Sequence, residues 1–161
     1  MARKILKWTG ITLLVALVLI QFYRPERNIN PNTTADDIVN AYSVPADVAS
    51  VLHKACYDCH SNNTNYPWYN NFQPVALWLD DHVREGKDEL NFSEYGSFKT
   101  KRKLKKLKEI VKEVEEGEMP LDSYTWIHGE AKLTAAEKQL LIDWAKGLST
   151  KITMEAGAMP Q

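Results

Sequence analysis

The chain has only two cysteines, Cys56 and Cys59, and they fall in a single five-residue motif. No second Cys or His pair stands at finger spacing, so a closed structural zinc site lacks half its ligands. Charge of one sign is lacking too. A formal net charge of -1 over 161 residues argues against whole-chain nucleic-acid binding. Seven glycines and seven prolines are too few for a low-complexity chain, and no internal repeat is present. No stretch alternates polar and apolar residues long enough to argue a sheet, which leaves an all-α domain. There is no glycine-rich phosphate loop, no Ser-His-Asp set and no carboxylate pair in a context that suggests hydrolysis.

What is present begins with Arg3, Lys4 and Lys7 ahead of an apolar run from Trp8 to Ile20. Positive charge stays on the cytoplasmic side, so this pattern predicts an uncleaved transmembrane signal-anchor over residues 1–24. The run is shorter than the roughly 20 residues that span a bilayer, but Trp8, Phe22 and Tyr23 suit its interfaces. No small-x-small cleavage site follows it. The expected location is the bacterial inner membrane, single-pass, with the remainder facing the periplasm. Residues 25–46, polar and punctuated by Pro25, Pro31 and Pro45, read as a flexible linker. Residues 47–150 form the expected domain, with 151–161 as a tail.

Within that domain a short helix from Pro45 carries Val48, Val51, Leu52 and Ala55 at helical spacing. After a loop from Ser61 to Pro67, Pro74 opens a second helix with Val75, Trp78, Leu79, His82 and Val83 on one face, stopping near Gly86. A third, from about Lys99 to Glu116, shows the stripe Leu104, Leu107, Val111 and Val114 and stops at Gly117. Thr134-Ala135-Ala136-Glu137 is a capping box for the last helix, which carries Leu140, Leu141, Trp144 and Leu148 and has Gly147 near its end.

The chemistry lies in Cys56-Tyr57-Asp58-Cys59-His60. Two thiols three residues apart can meet the two vinyl groups of a porphyrin, while the adjacent imidazole binds iron from the same side. The motif therefore points to one covalent haem c, with Cys56 and Cys59 as thioether anchors and His60 as proximal ligand. A thioredoxin-like pair competes, but its βαβ context is missing. A plain disulfide competes as well, since an exported chain allows one.

Met119 is the favoured sixth ligand. It lies in Gly117-Glu118-Met119-Pro120, a non-helical stretch that follows two helices after His60, and Pro120 restricts the residue before it. The ordinary alternative is a methionine plugging a turn. His82 is the runner-up, on the face with Trp78 and Leu79. His53 is expected to pack beside the motif, His128 lies in a loop, and Met1, Met154 and Met159 are the other candidates.

The run Cys56 to Thr64 with Tyr66-Pro67-Trp68-Tyr69, then Pro74-Val75, His82, Leu90-Asn91-Phe92-Ser93-Glu94 and Gly117-Glu118-Met119-Pro120, strongly resembles the bacterial haem-binding domain family of single-haem cytochrome-like proteins. The resemblance covers roughly Val51 to Leu148. It implies a cytochrome c-like helical fold and His60 as proximal ligand, and it names the cofactor better than the reaction.

Seven basic residues lie between Lys99 and Lys108, and five acidic ones between Glu109 and Glu118, opposite to the macrodipole preference. They read either as a solvated face with pairs such as Lys105 with Glu109, or as a docking segment for an acidic redox partner or anionic lipid. The aromatics from Tyr66 to Phe72, with Trp78, Trp126 and Trp144, are expected to line the core and the haem pocket. These features together suggest a membrane-held electron carrier that does no bond-making of its own and transfers electrons between a protein donor and acceptor. Two alternatives stay open: a peroxidase-like haem enzyme or gas or redox sensor with a labile sixth position, and a non-haem thiol or metal-binding module.

Overall fold

The computed structural model describes residues 1–158, and Met159 lies outside them. Among the described residues the chain is all-helical, without a strand. Its α-helices are α1 (Ala2–Ile20), α2 (Ile38–Ala41), α3 (Ala46–Ala55), α4 (Tyr57–His60), α5 (Val75–Glu89), α6 (Thr100–Glu116), α7 (Asp122–Thr125) and α8 (Ala135–Ala158). The predicted all-α class holds.

Helices α6 and α8 form the main packed pair, and α3 lies across α8. The apolar faces read from the sequence meet in one core. Val48, Val51, Leu52 and Ala55 of α3, Leu107 and Val114 of α6, and Leu141, Ile142, Ala145, Leu148 and Ile152 of α8 are all buried. The capping box forms reciprocally: the Thr134 N–H donates to Glu137 Oε2 at 2.9 Å, and the Glu137 N–H donates to Thr134 Oγ1 at 3.2 Å. Helix α8 runs through Gly147 to Ala158, so most of the expected tail at 151–161 is helix. Ile152 holds it down, being buried in the core.

The predicted linker is corrected. Residues 25–46 lie along the domain as a strap. The Asn28 side-chain amide donates to the Ser61 carbonyl at 2.8 Å and to Thr64 Oγ1 at 2.9 Å, and Lys87 donates to its oxygen at 2.6 Å. Ile29 and Asn63 form an isolated antiparallel bridge. Further along, the buried Tyr57 hydroxyl donates to Asp37 Oδ1 at 2.8 Å, and Ile38 is fully buried. Gly96 permits this docking, because a Cβ there would stand 2.8 Å from Asp36 Cα.

The predicted transmembrane helix is corrected as well: among the described residues no helix is long and apolar enough to cross a membrane. Arg3, Lys4 and Lys7 lie inside α1, and Thr9, Gly10 and Thr12 interrupt it. The continuously apolar part, Leu13–Ile20, gives roughly 12 Å of helix at about 1.5 Å per residue, against a hydrocarbon core about 30 Å thick. Helix α1 has no buried residue.

Candidate functional site

Helix α3 ends at Cys56, whose φ of -130° breaks the helix, and α4 restarts it as a single turn from Tyr57 to His60. That turn is clamped from several sides. Asp58 accepts from the Asn65 N–H at 3.0 Å and from the Tyr124 hydroxyl at 2.7 Å, and its carbonyl accepts from Thr64 Oγ1 at 2.6 Å. Tyr57 stacks on Phe92 at 5.2 Å between ring centroids. Helix α5 reaches the turn only because position 86 is glycine. A Cβ there would lie 2.7 Å from the Cys59 carbonyl oxygen.

His60 Nδ1 lies 3.0 Å from the Leu90 carbonyl oxygen. A carbonyl only accepts, so Nδ1 carries the proton and Nε2 keeps its lone pair. Burial pushes the imidazole below its ordinary pKa, opposed by the Leu90 and Gly86 carbonyls. The ring is a neutral donor with its tautomer fixed, as an iron-binding histidine requires.

Two adjoining cavities of about 330 and 490 Å³ open on this turn and share Ala55, Cys56, His60, Glu89 and Met119. Each falls within the range of roughly 300–1,000 Å³ for small-molecule and cofactor sites. Cys59, His82 and Tyr124 line the first; Leu52, Phe92 and Lys106 line the second. Cys56 and Cys59 are free thiols. Burial, with Cys59 adding, pushes Cys56 up to about 12, and burial with Asp58 pushes Cys59 up to about 11. A dithiol redox pair needs the reverse, a depressed thiol pKa. No group of three or more His, Cys, Asp and Glu side chains among the described residues is arranged to hold a metal ion. The donor set therefore fits a haem: one neutral imidazole, two thiols on the same turn, a thioether and largely apolar walls.

The structure brings Cys56, Cys59, His60 and Met119 to these cavities, with His82 beside the first. Met119 gets there through the end of α6. Gly117 takes φ +79°, and the N–H groups of Gly117, Glu118 and Met119 all turn back onto the Glu113 carbonyl. His82 Nδ1 is 2.8 Å from the Trp78 carbonyl oxygen, which leaves its Nε2 free as well. His53 packs on Tyr57 at 4.1 Å, as expected. His128 is engaged by the Tyr69 hydroxyl at 2.6 Å and by Glu130 at 3.3 Å, and it lines neither cavity.

Two readings of side-chain placement are corrected. The buried face of α5 is Ala76, Leu79 and Val83, while Trp78 stands at its exposed margin. Trp68 is 75% exposed, Phe72 55% and Trp126 88%, so these rings line neither core nor cavity. Sequence reasoning missed Tyr124 and Lys106. A single tyrosine gives no signal, and Lys106 is hidden in a basic run although it is buried, held by Glu109 at 2.7 Å and Glu89 at 3.2 Å. The rest of that run behaves as a solvated face, with Lys105 paired to Glu109 at 3.2 Å.

A family model described as a haem-binding domain matches residues 15–147. No curated protein and no solved structure matches the chain.

Proposed function

Since the chain belongs to the haem-binding domain family, and so binds haem, we propose that it is a mono-haem c-type cytochrome that passes electrons between redox partners. One observation carries this reading: the Cys56–His60 turn presents two free thiols and an imidazole with a bare Nε2 to the cavity that Met119 also lines. Haem, when bound, supplies one-electron chemistry between ferric and ferrous iron.

The protein's own residues hold and tune it. Cys56 and Cys59 are the thioether anchors, and His60 is the proximal ligand, oriented by Leu90. Met119 supplies the distal thioether, on a turn fixed by Gly117. Phe92, Leu52 and Leu141 keep water from one side of the cavity, which favours the reduced state. Exposed Lys99, Lys101, Arg102, Lys105 and Lys108 offer a docking face to an acidic donor or acceptor, without the buried Lys106. Helix α1 holds the domain to the bacterial inner membrane by lying in its interface rather than crossing it, with the haem side on the periplasmic face. Arg3, Lys4 and Lys7 on the same helix, and the exposure of Leu13, Leu14, Val15, Leu17, Val18 and Leu19, each half-exposed or more, support this.

Expression with cytochrome c maturation and intact-mass measurement tests attachment. The wild-type chain gains one haem mass, and the Cys56→Ala/Cys59→Ala double variant gains none; a wild-type chain at its unmodified mass overturns the reading. The ferric spectrum tests the sixth position. A thioether charge-transfer band that Met119→Ala abolishes supports the carrier, whereas a high-spin wild-type spectrum favours an open site of the peroxidase or sensor kind. Membrane fractions washed with salt and then carbonate test the attachment by α1, which predicts retention through the salt wash.

A further inference from the structure

The end of α1 does not dangle from the domain. Gln21 and Gln73 exchange hydrogen bonds: Gln21 Nε2 donates to the Gln73 carbonyl at 3.1 Å, and the Gln73 N–H donates to Gln21 Oε1 at 3.0 Å. Gln73, itself buried, also donates from Nε2 to the Tyr23 carbonyl at 2.9 Å. Arg24 bonds the Asn71 carbonyl at 2.8 Å, and Arg27 bonds Asn71 Oδ1 at 3.1 Å. The helix therefore leaves the domain at one fixed place, the segment Asn71–Gln73.

Around that exit stand the exposed rings of Phe22, Tyr23, Trp68 and Phe72, with Trp68 and Phe72 in edge contact at 6.1 Å. Large aromatics with one wet edge are enriched at the headgroup level of membranes, and arginine beside them suits anionic lipid. We propose that Phe22, Tyr23, Trp68 and Phe72, with Arg24 and Arg27, form a collar that seats the haem domain on the lipid headgroups in one orientation. The occupant is lipid because the patch is continuous with α1, whose apolar surface no part of the domain covers. This inference rests on the attachment by α1 proposed above. It replaces a domain that swings on a tether with one whose haem cavity keeps a constant bearing to the bilayer.

The test uses the full haem-loaded chain, reduced to its low-spin ferrous form and labelled with 5-fluorotryptophan. It is placed in phosphatidylethanolamine–phosphatidylglycerol nanodiscs containing nitroxide-bearing lipids, and Trp→Phe variants assign the fluorine signals. The collar predicts loss of the Trp8 and Trp68 signals by paramagnetic broadening, with Trp144 on the core-facing side of α8 retained. Loss of Trp8 alone overturns the collar and leaves the attachment standing; retention of both overturns the attachment and the collar with it. In Gln21→Ala the Trp68 signal should return while Trp8 stays broadened. A Trp68 signal that stays lost in this variant overturns the Gln21–Gln73 clamp as the cause of seating.

Discussion

The residues that line the candidate haem cavity are held in two different ways. The turn with Cys56, Cys59 and His60 is held by Asp58, Thr64, Asn65, Tyr124 and Leu90, and the strap residue Asn28 bonds the loop that follows it. The other contribution, Met119, hangs on one carbonyl, that of Glu113. One side is organised by the protein before any cofactor arrives, and the other is a short turn with His82 as a second donor on the same cavity. On the proposed reading, strength of attachment and choice of sixth ligand are thus separable, and substitutions should divide them.

The largest effect is expected on the organised side. His60→Ala should lose proximal ligation and its reduced-form spectrum while intact mass still shows thioether-linked haem; unchanged spectra would break the comparison. Met119→Ala should come next, with haem retained and only the sixth-ligand signature and the potential changed. If His82 then takes the position, a bis-histidine spectrum will show it, and Met119→Ala/His82→Ala will remove it.

Smaller effects sharpen the contrast in stability. Gly86→Ala drives a methyl into the Cys59 carbonyl and should cost about 1–3 kcal/mol in chemical denaturation, the range for overpacking. Asn28→Ala leaves Ser61, Thr64 and Lys87 without their partner and should cost about 1–3 kcal/mol.

The smallest is a pH effect behind the same turn. Lys54, with the Thr134 backbone N–H, lowers the Glu137 carboxyl to about 2. A depressed carboxylate stabilises the fold above its unfolded pKa, and the contribution is lost as pH falls through the folded value. Both side chains are partly solvated, so the pair is worth about 1 kcal/mol or less. Glu137→Gln should flatten the stability curve between about pH 4 and 2, leaving the neutral limb lower by that amount.

Much of this was legible in the sequence, and the failures share a cause. The α3 stripe, the Gly117 stop, the Thr134 box and the helical turn that groups Cys56, Cys59 and His60 are local patterns whose geometry follows from a few adjacent residues. The strap was misread because Asn28, Thr34 and Asp37 have the composition of a solvated linker. Their partners Ser61, Thr64, Ser93 and Tyr57 are polar as well, so hydropathy cannot register the match. Trp68 and Trp126 were misplaced for the converse reason: size and apolarity argue burial, and nothing local announces an exposed ring. The length of α8 was set by Ile152 reaching the core, a contact beyond Gly147 that caps and stops do not encode.

Asn28 also has a consequence in time. Its partners Ser61, Thr64 and Lys87 lie 33, 36 and 59 residues later in the chain. A chain made from its N-terminus presents Asn28 first and must wait for Lys87 before the bond set can close, over the longest of these loops. During that interval the Cys56–His60 segment is already synthesised, while Lys87 of the latch and the later residues Leu90 and Tyr124 that hold its turn are not. Assembly therefore has an order written into it: the motif is reachable first, and the latch shuts afterwards.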